Sequence, residues 1–179
     1  MRHFIDAVEN QDSHTLLEAD VRASMLYHST EPDNALKIIK HGSIEPRTVH
    51  ISGHPVEFRK DEIDEHGNVN GISLTRDIVF ARRWKDIVFG FNRETVEKRF
   101  RLVPVNFWGS RGESEEFIPN SSLPLDPYLV EILMPKRLYQ YLQFHPVHWM
   151  KFENKYAELI GHPKFRIQGS SWEGGKVIR

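Results

Sequence analysis

Three short stretches set reactive side chains beside segments that alternate like strands. The first is Leu26-Tyr27-His28-Ser29-Thr30, where an imidazole and two hydroxylated residues end an apolar run. Such a strand end offers a ring nitrogen and backbone donors to a sugar hydroxyl or a carboxamide. The second is Gly71-Ile72-Ser73-Leu74-Thr75, in which Ser73 and Thr75 share a face because strand side chains alternate. The third is Glu113-Ser114-Glu115-Glu116-Phe117-Ile118-Pro119. A carboxylate at the head of a strand accepts a hydrogen bond from a sugar hydroxyl. Its pre-placed negative charge also stabilises a cationic centre as a leaving group departs. Neighbouring strand residues point to opposite faces, so only one of Glu115 and Glu116 can serve. Taken singly, each stretch has an ordinary reading: a strand-end histidine, a core strand, a solvated acidic turn. Their order along the chain carries the argument.

The elements that must hold them follow from local pattern. Residues 25–28 are a short strand, and Asp33 is a candidate cap for a helix whose buried face is Ala35, Leu36, Ile38 and Ile39. Gly42 closes that helix, where positive φ is cheap. Residues 45–70 lack apolar periodicity and predict a long exposed loop. A strand over 71–75 leads into a helix carrying Val79, Phe80 and Trp84, and 86–92 is another strand. A short helix then precedes 101–108, where Pro104 argues for a sheet edge. Strands are predicted at 115–118 and 128–134, and a helix over 149–161. Many short strands with helices gathered early indicate an α+β domain rather than a doubly wound parallel sheet.

The 179 residues suit one domain with extra segments at its ends: an N-terminal appendage (1–24), a core (25–134) and a C-terminal extension (135–179) packed on or beside it. There is no cysteine, which excludes disulfides and thiolate catalysis. No apolar run reaches the roughly 20 residues that span a bilayer, and the charged first 20 residues lack a signal-peptide core, so a cytoplasmic protein without membrane partners is expected. A formal net charge of −1 gives no general attraction to nucleic acid. The basic strip from Arg76 to Arg101 is interleaved with Asp86, Glu94 and Glu97, as on a solvated helix face. His145-Pro146-Val147-His148 has no carboxylate nearby, and no metal site is expected there.

Together the three stretches resemble the fingerprint of the ADP-ribosyltransferase superfamily. Leu26-Tyr27-His28-Ser29-Thr30, Asn34, Ile38-Ile39 and Gly42 match the first motif of its poly(ADP-ribose) polymerase-like histidine class, with Ser29 in place of the usual glycine. Gly71 to Asp77, with the aromatics that follow, is similar to the middle motif, here in a Ser-x-Thr form. Glu116-Phe117-Ile118 matches the polymerase form of the third motif, and Glu113-Ser114-Glu115 with Pro119 the arginine-modifying toxin form. The histidine class of the first motif favours Glu116. The resemblance spans residues 25 to 134 and implies split mixed β-sheets with an NAD cleft, helices clustered in the N-terminal half.

It further implies an NAD-dependent mono-ADP-ribosyltransferase, a glycosyltransferase in chemistry. His28, Ser29 and Thr30 would lie on the ribose or carboxamide side, with Ser73 and Thr75 beside the nicotinamide. Phe80 or Trp84 would stack on the base, and Glu116 or Glu115 would act on the sugar. NAD is then a substrate, and a protein or nucleic acid is the acceptor. Two alternatives share the fold: a catalytically inactive binding module and an RNA 2′-phosphotransferase-like enzyme.

Overall fold

The computed structural model describes residues 24–50, 58–105, 115–168, 172–173 and 176–177. The first strand, β1 (Met25–Thr30), leads into helix α1 (Pro32–His41). Glu31 is the N-cap residue without a side-chain cap bond, and Pro32 opens the first turn, where its missing N–H costs nothing. Asp33 accepts instead from the Tyr156 hydroxyl at 2.8 Å and pairs with Lys155 at 2.7 Å. Gly42 ends the helix at φ 74°, and its N–H donates to the Ile38 carbonyl.

Next come β2 (Ser43–Ile44), β3 (Arg47–His50), a 3₁₀ turn (Lys60–Glu62) and β4 (Asn68–Thr75). The expected long loop is thus partly sheet: β3 pairs along β4 from Arg47 opposite Gly71 to His50 opposite Asn68. Pairing satisfies backbone groups without an apolar alternation, which is why the sequence hides it. Helix α2 (Ile78–Trp84) precedes β5 (Ile87–Asn92), α3 (Arg93–Glu97) and β6 (Val103–Pro104). Then follow β7 (Glu115–Pro119), β8 (Leu123–Pro124) and β9 (Leu129–Met134).

Helices are not confined to the N-terminal half. After β9 come α4 (Lys136–Phe144), α5 (Pro146–Lys155) and α6 (Ala157–Ile160), then β10 (Phe165–Ile167), β11 (Trp172–Glu173) and β12 (Lys176–Val177). The reason is topological. β10 lies parallel to β9, and parallel neighbours need a crossover, which these helices supply.

The strands form a mixed, ten-stranded sheet in the order β12-β11-β10-β9-β5-β1-β4-β7-β6, with β3 also on β4, beside a two-stranded β2–β8 sheet. The architecture is α+β. One face buries Leu26, Phe89, Phe91, Ile132 and Met134 with Ala35 of α1 and with Phe152, Leu159 and Ile160 of the C-terminal helices. Residues beyond 134 therefore share the main core. On the other face Met25, Tyr27, Val88 and Leu133 pack on Ala81 of α2. Burial of each such large side chain contributes about 1.5–3 kcal/mol.

Candidate functional site

The sheet order sets β1, β4 and β7 side by side, so the three sequence stretches meet although they are far apart in the chain. β1 and β5 pair over all six residues from Met25 to Thr30. With β4, by contrast, β1 has a single registered pair, Tyr27 opposite Thr75. The next link is made by a side chain: Nδ1 of His28 lies 3.0 Å from the Ser73 carbonyl oxygen. A carbonyl only accepts, so Nδ1 carries the proton and Nε2 of the neutral ring is the acceptor. Burial pushes the imidazole below its usual range, and the charge of Arg47 pushes it further down, against the opposing effect of the Ser73 bond.

A cavity of about 420 Å³ opens beside this link. His28 and Ser73 line it together with Asn34, Lys37, His41 and Arg47. Sequence reasoning matched Asn34 to a motif but passed over the three basic residues. Lys37 and His41 are four apart on α1, a spacing that puts them on one helix face, and that was the available signal. Arg47 reaches the cavity only because β3 pairs with β4. Glu45, which accepts from the Ser43 hydroxyl, also lines it, so the three basic side chains outnumber one acid.

The remaining expected residues fall around the strand ends. Ser29 is half-buried and Thr30 buried, opposite Val88 and Ile87 of β5. Thr75 is 6% exposed, and its hydroxyl accepts from the Asp77 N–H at 3.0 Å. Asp77 in turn caps α2 by accepting from the Val79 and Phe80 N–H groups. Thr75 therefore launches the helix that carries the half-buried Phe80; the side chain of Trp84 lies outside the described part.

β7 separates the two glutamates. Glu115 is in register with Thr75, and Glu116 with Leu74 on one side and Pro104 on the other. By strand alternation Glu116 lies on the face of Leu74, opposite that of Ser73 and Thr75. The Glu116 side chain is 4% exposed, its Oε1 lying 3.2 Å from Arg76 Nε and 3.0 Å from Arg93 Nη2. Glu113 falls outside the described residues.

No family model, curated protein or solved structure matches the chain.

The basic strip is largely paired with acids, through Arg76 and Arg93 with Glu116, Lys98 with Glu94, and Arg101 with Glu62. Among the described residues no three His, Asp or Glu side chains gather as a metal-holding group. Nor is any helix of those residues long and apolar enough to cross a membrane.

Proposed function

We propose that the chain is an NAD-dependent mono-ADP-ribosyltransferase, with the split sheets and NAD cleft of that superfamily. One observation carries this reading: the His, Ser-x-Thr and Glu stretches lie on the adjacent strands β1, β4 and β7, and His28 and Ser73 of the first two line a cavity with Lys37, His41 and Arg47. That adjacency supports the reading.

In this reading NAD lies through the gap where the β1–β4 ladder stops. Its diphosphate faces Lys37, His41 and Arg47, and the adenosine ribose meets Nε2 of His28. The nicotinamide lies near Ser29, Ser73 and Thr75, with Phe80 or Trp84 against the ring. Of the two glutamates the reading moves to Glu115. Its backbone is in register with Thr75, whereas Oε1 of Glu116 is engaged by two arginines. Glu115 accepts a hydrogen bond from the nicotinamide-ribose 2′-OH. As the C1–N bond breaks, its charge stabilises the oxocarbenium-like centre. The bonding pair leaves with nicotinamide, and a nucleophile of a protein or nucleic acid attacks C1 and loses its proton.

The test is release of nicotinamide from NAD by the purified protein, with water as acceptor, followed by incubation of labelled NAD with separated cellular protein and RNA. Transfer of label to either fraction supports the reading. Binding of NAD without release of nicotinamide favours an inactive binding module instead. Failure to bind NAD at millimolar concentration ends both.

A further inference from the structure

Glu116 is the buried charged residue of the described part, at 3% exposure. Its neighbours along and across the strands, Ile118, Ile72 and Leu74, are apolar and buried, so an aliphatic side chain would suit the position. A buried carboxylate is costly to desolvate unless closely paired, and well-packed apolar replacements often match or exceed such pairs in stability. Stability alone therefore does not explain the residue.

Its geometry does. Oε1 takes contacts from Arg76, which directly follows β4, and from Arg93, which opens α3 directly after β5. Arg93 is itself held by Glu97 at 2.6 Å. One carboxylate thus ties the head of β7 to the ends of two other strands, one residue from Glu115. We propose that Glu116 is a positioning residue, whose double arginine contact locks the head of β7 onto β4 and so holds Glu115 opposite Thr75. The role assigned to Glu115 rests on the transferase reading; the locking of β7 does not.

The experiment compares amide hydrogen exchange and nicotinamide release in the full chain for Glu116→Gln, Arg93→Gln, their double variant and Glu115→Gln. Glu116→Gln should speed exchange at residues 74–76 and 115–118 by roughly tenfold or more, with β5 and β9 unchanged. The double variant should be no worse than Glu116→Gln alone, because that substitution already removes the Arg93 contact. For release, Glu116→Gln should lower kcat about tenfold at unchanged KM for NAD, as misplacement of a reacting group does. Glu115→Gln should leave exchange unchanged and lower kcat roughly 100-fold or more. Glu116→Asp keeps the charge and should restore most of the protection; Arg93→Gln, which removes one of the two contacts, replaces the glutamine variant if that one does not fold. Unchanged exchange in Glu116→Gln, or in Arg93→Gln where it stands in, overturns the proposal, as does a Glu116→Gln kcat as low as that of Glu115→Gln with exchange intact. A wild type that releases no nicotinamide sinks the transferase reading, while the exchange data still decide whether Glu116 holds β7.

Discussion

His28 and Ser73, 45 residues apart in the chain, are joined through the imidazole Nδ1 and a main-chain carbonyl. The bond crosses the point where the β1–β4 ladder ends, so the ring is both a strut between strands and part of the cavity wall. Burial and the charge of Arg47 both disfavour the protonated ring, and with Nδ1 donating to Ser73 the Nε2 atom of the neutral form can accept from a ligand hydroxyl.

The first prediction is a pH dependence. The native pKa of His28 is lowered, chiefly by burial, so the unfolded chain binds this proton first as pH falls. The stability linked to it is full above the ordinary histidine value of 6.5 and is lost as pH drops from there through the lower native value. His162, lowered by burial and by Lys164, contributes with the same sign. Between pH 7 and 5.5 the melting temperature of His28→Gln should therefore fall less than that of the wild type. Parallel curves would remove His28 as a source of the dependence.

Arg47 offers a second test, on binding. It is exposed, so Arg47→Ala should leave the melting temperature within about 2 °C, since surface changes stay near 0.5 kcal/mol. Loss of a charge-assisted contact, about 1.5–3 kcal/mol, should raise the NAD dissociation constant roughly 10- to 100-fold. Binding should weaken with salt in the wild type more than in the variant. A dissociation constant within twofold of wild type would place the diphosphate elsewhere.

Gly71 tests how closely the strands around the cavity pack. A Cβ there would collide with the Ile118 carbonyl and the Phe117 ring, both on β7. Relief by a rotamer change is not available against main chain, so Gly71→Ala must push β7 from β4. Overpacking of this kind costs about 1–3 kcal/mol, a melting temperature lower by roughly 3–10 °C. Thermal denaturation of the variant measures it, and a wild-type melting point would mean the two strands are further apart.

Thr75 separates a structural hydroxyl from a binding one. Thr75→Val keeps the shape but removes the acceptor for the Asp77 N–H, at a cost of about 1 kcal/mol, or roughly 2–4 °C. Thr75→Ser retains the oxygen and should melt closer to wild type. If the hydroxyl serves only the turn into α2, both variants should bind NAD alike once folded. An affinity that falls in the valine variant alone would give the hydroxyl a direct part in the pocket.

The sequence by itself determined the local elements and the chemistry-bearing residues: a strand at 25–28, which the structure extends to Thr30, the helix closed by Gly42, the strand ending at Thr75, and a glutamate at the head of β7. These follow from side-chain alternation, helical periodicity and backbone permissiveness, all of which act over a few residues. The basic strip was read as a solvated helix face among acids; the structure pairs Lys98 with Glu94 there but takes Arg76 and Arg93 to the buried Glu116. Strand adjacency was left to the tertiary structure, because hydrogen-bond ladders join segments whose residue types do not name each other. Only that adjacency brought β3 and Arg47 to the cavity, and put three crossover helices after β9 where the sequence had suggested helices early. Register decided the rest. With a side-chain period of two, the pairing of Leu74 with Glu116 put that carboxylate on the face away from Ser73 and Thr75, against two arginines.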